Sequence, residues 1–375
     1  MKRSPLMPFH HEKVEKIELF FDLVFVFTFI QLTLKLEHHL TFHTFLEVLV
    51  LMALIWYIFE GYIWLTNTTK LTRRNHQIFM TLGMIGFMLI SVAIPKAYDQ
   101  DGFIFGLGFL VIVAVHSTLF LLHSNDDTKK AMLAIVPYNV SFSIIILVAT
   151  LFEGNVRLIV WGIVAIVAVL GPLVQKNRGQ FEVSSWHFLE RHYLILVIAL
   201  GETIASPGRA AIDEDLTSDV VLTMILALML TVLLWYSYVK DDEIRENRFQ
   251  DMHTDRRDQT AKAGFYWSHL SMFLGIILLA VVKITIVHDP MQTLDLAHRI
   301  TLYVAIVLFG YGVIYFNRLF FKVSWKRLVV LAVLLVIPLI APYLSAIILL
   351  LVIALLYFIA MIAPLPFLKT KQKET

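Results

Sequence analysis

A chain of 375 residues with 58% hydrophobic positions, only 16% charged positions and a mean hydropathy of +0.76 cannot fold as a soluble globule, whose composition is about half apolar and about a quarter charged. Lipid must be its solvent. A net charge of +2 with dispersed basic residues offers no nucleic-acid surface, and the absence of cysteine excludes disulfides, thiolate metal sites and cysteine nucleophiles.

Met1 to Lys16 is polar and basic, and the apolar run after it has no small-residue cleavage signal, so residues 1–17 read as a cytoplasmic segment before an uncleaved first helix. A bilayer core of roughly 30 Å needs about 20 apolar residues per helix. The runs predict spans at 18–35, 42–66, 76–95, 103–123, 130–152, 155–174, 188–206, 217–239, 263–287, 298–317, 327–342 and 343–364. They are continuously apolar with no period of two, which selects helices over a barrel. The last two spans come from one stretch, Val329 to Pro364, divided at Pro338 and Ala341-Pro342-Tyr343.

With that division, only Lys35, Lys96, Arg157, Arg209, Lys283 and Arg299 fall on the outer side; the other basic residues, including Lys369, Lys371 and Lys373 of a tail at 365–375, fall inside. The bias predicts both termini in the cytoplasm. The longest connector, Lys240 to Lys262, is expected to be a loop or a short surface helix, so any chemistry belongs to the helices or their short loops.

Two halves echo each other. Helix one begins with Glu18 and helix seven with Glu190; helix two carries Leu54-Ile55-Trp56-Tyr57 and helix eight Leu233-Leu234-Trp235-Tyr236; helix three reads His76 then Met80-Thr81-Leu82-Gly83 and helix nine His269 then Met272-Phe273-Leu274-Gly275. Matches in one order predict a six-plus-six duplication, residues 18–176 and 177–364. Six is even, so the repeats would be parallel and related by an axis along the membrane normal.

Ionisable groups inside spans are costly and are site candidates by default. Glu18 and Asp22 share one face of helix one, although a carboxylate at a helix start is also stabilised by the helix dipole. Gln31 projects from roughly the opposite side, about 13 Å farther along. In helix seven, Glu190 marks the start, and Glu202 in Gly201-Glu202-Thr203 lies about 18 Å beyond it. Glu202 is the leading ion-binding or proton-carrying candidate; its alternative is a headgroup-level acid beside Arg209. Glu60, near the end of helix two, is a membrane carboxylate or an interfacial one that snorkels. His76 and His269 are histidines that titrate near neutral pH or pair with an acid from helix one or seven, or else structural histidines. His116, Ser117 and Thr118, and Asn139, Ser141 and Ser143, read as hydrogen-bonding glue between helices. His38, His39 and His43 match no ligand spacing, so no metal and no cofactor is expected. Nothing resembles a Walker loop, a nucleophile elbow or a zincin helix.

The segment Glu18-Leu-Phe-Phe-Asp22-Leu-Val-Phe-Val-Phe-Thr-Phe-Ile-Gln31-Leu, together with Glu190-Arg-His-Tyr-Leu-Ile-Leu-Val-Ile-Ala-Leu-Gly201-Glu202-Thr-Ile, resembles the bacterial low temperature requirement A family. The resemblance extends over nearly the whole chain and implies a multi-pass protein of the bacterial inner membrane with no settled reaction. His192-Tyr193 departs from the family pattern and leaves Glu190, Gly201 and Glu202 untouched.

The expected fold is therefore an all-α polytopic membrane protein of about twelve helices in two parallel repeats. Three functions compete. A secondary transporter or ion pathway would move a small cation or a proton on intramembrane carboxylates. A lipid-handling enzyme would use Glu60, His76 or His269 as acid or base at the interface. A structural or sensory protein would use the polar groups only to fix helix packing. They are separated by whether the acids and histidines converge.

Overall fold

The computed structural model describes residues 14–68, 73–123, 126–174, 183–322 and 337–362. Among them there is no strand. The long helices are α1 (Lys16–His38), α2 (Phe42–Thr68), α3 (Arg73–Ala93), α4 (Gly102–His123), α5 (Asp126–Val148), α6 (Gly154–Val174), α7 (Ser185–Ile212) and α8 (Ser218–Val239). After the short α9 (Asp242–Gln250) and α10 (Thr254–Gln259) come α11 (Tyr266–His288), α12 (Leu296–Phe320) and α13 (Ala346–Ile362). Among the described residues ten helices are long and apolar enough to cross a membrane, and α13 is a shorter apolar helix. In hydrocarbon every backbone polar group must be satisfied within its own element, and a helix does this residue by residue.

The bundle is built around α11. From Tyr266 to Val287 nearly every residue is buried, against α7, α12, α1, α2 and α8. Outer helices instead expose apolar residues at helical spacing: Ile159, Ile163 and Ile166 on α6, and Leu222, Ile225, Met229 and Val232 on α8. Stripes of that extent in water would be aggregation surfaces; here they are lipid faces.

Two helix crossings are tight because glycine permits them. On the α3–α4 crossing, a Cβ on Gly108 would stand 2.8 Å from the Gly86 carbonyl oxygen. On the α11–α12 crossing, a Cβ on Gly275 would meet Ala305 O and Phe309 N, both at 2.8 Å. Small residues at such contacts let the backbones approach and the remaining side chains interlock.

The elements match the expected spans with instructive differences. Helix α7 does not stop at 206 but runs through Pro207 to Ile212. A proline in a helix removes one backbone donor and usually ends or kinks it, and here Lys283 from α11 supplies a donor in its place. The connector after α8 is two short helices. A widened π turn, Thr260–Phe265, then leads into α11, a form often found at functional positions. The expected span 327–342 falls mostly on residues 323–336, outside the described residues. Beyond them come a helical turn, Ile337–Ile340, and a tighter turn, Ala341–Tyr343, where the prolines sit.

Candidate functional site, an acid–base layer between α1, α2, α7 and α11

Helices α1 and α7 lie side by side with their starts at the same end of the bundle. Glu18 and Asp22 are four residues apart on α1, and His187 and Arg191 are four residues apart on α7. Equal spacing lets the two rows pair turn for turn. The Glu18 carboxylate lies 3.0 Å from His187 Nε2, and the Asp22 carboxylate lies 2.8 Å from Arg191 Nη2. One residue further on α7, His192 Nε2 meets Glu60 Oε2 of α2 at 3.1 Å. All six side chains are buried.

The hydrogen-bond network fixes which nitrogens carry protons. His187 Nδ1 accepts from Asn67 Nδ2 at 3.3 Å, so its Nε2–H donates to Glu18. Asn67 is itself held by two bonds to Ser184, donating to its carbonyl and accepting from its amide. Glu18 Oε2 also accepts the Glu15 amide at 2.9 Å, which closes a capping box at the start of α1.

His192 Nδ1–H donates to Phe188 O at 2.8 Å, leaving Nε2 to face Glu60. A neutral imidazole with a carboxylic acid and an imidazolium with a carboxylate hold the same number of protons, so this pair can shift a proton without changing its charge. The ring of His192 stands 4.6 Å from the ring of His269. His269 donates from Nδ1 to Phe265 O at 2.8 Å and accepts from the Tyr238 hydroxyl at 2.7 Å.

His76, on α3, adds a branch: its Nδ1 lies 3.1 Å from Glu15 Oε2 and its Nε2 lies 4.0 Å from Glu18 Oε1. Arg245, from α9, closes the layer beside His269. It is fully buried, donates to the Tyr238 carbonyl, and lies over the rings of Tyr193, Tyr238 and Phe316.

The layer is incompletely hydrogen-bonded. Arg191 and Asp22 touch as an ion pair but lack hydrogen-bond alignment. Both Asp22 oxygens, the guanidinium nitrogens of Arg191, Glu60 Oε1 and His76 Nε2 have no hydrogen-bond partner among the described residues. Buried polar atoms in that condition are uncommon in folded proteins and cost about 1–3 kcal/mol each, so the layer is held at a cost. An aromatic wall surrounds them: Phe21 on Tyr62 at 4.9 Å, Phe25 on Phe59 at 3.8 Å, and Trp56 on His269 at 6.2 Å.

Glu18, Asp22, Glu60, His76 and His269 thus belong to one layer. Glu190 is half-buried at its edge, accepting the Val14 amide at 3.5 Å. Gln31 is half-buried farther along α1, away from the layer. Glu202 is also elsewhere, near the far end of α7, where it accepts from Ser206 and pairs with Arg209 at 3.2 Å. His187, Arg191, His192, Tyr238 and Arg245 join the site through the fold and are not among the residues the sequence points to. The shared i, i+4 spacing on α1 and α7 is the signal that could have found His187 and Arg191.

The echoed residues occupy unequal places. Trp56 is buried and donates to Tyr266 O at 3.0 Å, whereas Trp235 is 40% exposed. His76 meets carboxylates; His269 meets a tyrosine and aromatic rings. Of the residues expected to bond between helices, His116 reaches Gly61 O at 2.9 Å and Asn139 the Tyr57 hydroxyl at 2.5 Å, whereas Ser141 and Ser143 bond back to carbonyls of their own helix and Ser117 Oγ has no hydrogen-bond partner among the described residues.

The two stretches that carry the family likeness supply Glu18, Asp22, Arg191 and His192 to the layer, and the likeness extends over nearly the whole chain, which matches the bacterial low temperature requirement A proteins over residues 13–363. The protein belongs to that family. It is also similar to an uncharacterized protein of Rhizobium meliloti (strain 1021), 26% identical over 277 residues that cover 70% of this chain and 67% of the relative. No solved structure matches the chain significantly. As a member of the family, the chain is a multi-pass helical membrane protein, and Glu18, Asp22, His187, Arg191 and Glu202 all lie inside the matched region.

Proposed function

We propose that this protein is a secondary transporter or ion pathway in which protons, or a small cation exchanged for them, pass through the α1–α7 seam. The observation that carries the reading is the row of buried acid–base pairs, Glu18 with His187, Asp22 with Arg191, and Glu60 with His192 and on to His269. Glu18, Asp22 and Glu60 are carboxyls and His187, His192 and His269 imidazoles, groups that take up and release protons, and they stand in contact along the seam. Groups of that kind inside a membrane bundle are how proton relays are built.

The wider architecture belongs to the same reading: twelve spans in two parallel repeats, residues 18–176 and 177–364, in the bacterial inner membrane with 1–17 and 365–375 in the cytoplasm. Helix adjacency supports the repeats. In the first half α1 packs on α2 and α3, α3 on α4, and α2 on α6; in the second half α7 packs on α8 and α11, α11 on α12, and α8 on α13. The natural absence of cysteine makes single introduced cysteines clean topology reporters.

The test is flux in proteoliposomes carrying a pH-sensitive dye, with a potassium gradient setting the potential. Wild-type protein is expected to move protons, while Glu60→Gln and Asp22→Asn lose that flux. Glu202→Gln, outside the layer, is expected to retain most of it. Undiminished flux in both Glu60→Gln and Asp22→Asn would return the layer to a role in helix packing alone.

A further inference from the structure

One backbone carbonyl on α7 has lost its ordinary partner. Thr203 O would accept from the amide of residue 207, and residue 207 is proline, which has no N–H. Its replacement comes from α11. Lys283 Nζ donates to Thr203 O at 3.3 Å, to Ala227 O at 2.8 Å and to Thr231 Oγ1 at 2.6 Å.

Lys283 is fully buried, and no carboxylate forms an ion pair with it among the described residues. Glu202, the acid adjacent to Thr203 in sequence, is engaged by Ser206 and Arg209. A lysine five residues from the end of its helix would ordinarily snorkel to the interface; this one turns inward between α7 and α8. A lysine Nζ that donates to three neutral oxygens has the arrangement of a cation site, with two carbonyls and a hydroxyl as ligands.

A second observation extends the site. Thr223, Ala227 and Thr231 recur every four residues and so line one face of α8. Thr223 Oγ1 is fully buried and has no hydrogen-bond partner among the described residues, which continues the row of oxygens one turn toward the start of α8. Thr203 Oγ1 and Thr231 Oγ1 are joined at 2.8 Å, fixing α7 to α8 at the site.

We propose that the oxygens of Thr203, Ala227 and Thr231 form a binding site for a monovalent cation of ammonium or potassium size, occupied in this conformation by the chain's own Lys283 ammonium. The tethered ammonium and a free ion exclude one another, so the site holds a single positive charge and admits an ion only when Lys283 withdraws. The site stands on its own geometry and does not require the α1–α7 seam to conduct.

Lys283→Ala severs the resident ammonium and leaves the oxygens in place. Its melting temperature is to be measured in potassium, ammonium, methylammonium and choline chloride at equal ionic strength. In choline the variant is expected to melt below the wild type. The three small cations are expected to raise its melting point saturably by a few degrees, while the wild type does not respond. Adding Thr231→Val to Lys283→Ala removes one ligand and should remove most of the response. Should Lys283→Ala survive purification only in the small cations, that selectivity is read as the same response. Lys283→Met, whose apolar stem fills the space, is the folded control and should be indifferent to the salt. Identical behaviour of Lys283→Ala in all four salts, failure in all four included, would overturn the proposal, as would a Lys283→Met variant that responds as strongly.

Discussion

The two ends of α7 hold buried charge in opposite ways. Near its start, His187, Arg191 and His192 each meet a carboxylate from α1 or α2. Near its far end, Lys283 meets only two carbonyls and a hydroxyl, while the buried Glu202 is taken up by Ser206 and by Arg209, which is 42% exposed. Between them lies an apolar stretch, Ile195, Leu196, Ala199 and Leu200, all buried. One helix thus joins a layer rich in acids to a lysine held without one, and the difference lies in what supplies the counter-charge. At the first end it is a neighbouring side chain; at the second it is the dipoles of peptide groups, one of them freed by Pro207.

This contrast predicts that removing a basic residue is costlier at the first end. Arg191→Met leaves Asp22 buried without its cation, and breaking a buried pair from one side costs about 3–5 kcal/mol. The loss should be read from unfolding in detergent, with Asp22→Asn in the same background recovering a large part of it. An additive double variant would mean that the 2.8 Å contact carries no coupling.

Glu60→Leu is expected to cost less, about 1–3 kcal/mol, because His192 loses one hydrogen-bond partner and keeps the other at Phe188 O. The same unfolding measurement checks it. A loss as large as that of Arg191→Met would show that Glu60 is the charge centre of the layer instead.

The spans from α1 to α6 are legible in the sequence to within a few residues because lipid demands continuous apolar helices, and length and hydropathy report that directly. The end of α7 is not. A span ending at 206 suits an isolated helix, since residue 207 is proline, and it is the arrival of Lys283 from α11, 76 positions after Pro207 in the chain, that supplies the missing donor. For the same reason the sequence sets Lys283 among the outer basic residues: its distance from the helix end is visible there, whereas the direction of its side chain is not. Of the site, the acids Glu18, Asp22 and Glu60 are legible as costly intramembrane charges. Their partners are harder, since His187, Arg191 and His192 sit at the end of a span, where the charge bias of membrane loops collects basic residues in any case. Glu202 stands out in the sequence by its depth along the helix and is indeed buried, but depth does not tell that its partners, Ser206 and Arg209, come from its own helix and not from the layer.

At the far end a smaller effect is expected from Thr231→Val, which keeps the shape of the side chain and removes one of three acceptors from Lys283. The cost should be about 1 kcal/mol, the typical net worth of one hydrogen bond, or somewhat more because the donor is charged. A cost near that of Arg191→Met would mean that the hydroxyl, and not the freed Thr203 carbonyl, is the main support of the buried lysine.

The smallest effect belongs to Arg209→Ala. Its pair with Glu202 spans 3.2 Å and joins a buried carboxylate to a guanidinium that is 42% exposed; Ser206 still donates to Glu202 once the guanidinium is gone, and solvent screening keeps the cost at or below about 1 kcal/mol. Salt makes the comparison decisive. Charges within reach of water are screened over a Debye length of roughly 8 Å at physiological ionic strength, whereas a buried pair is screened far less. The cost of Arg209→Ala should therefore fade as salt is raised during the unfolding measurement, while that of Arg191→Met holds. If both costs fade together, water reaches the Asp22–Arg191 pair, and the layer is then a hydrated vestibule whose charge is set from outside the bundle.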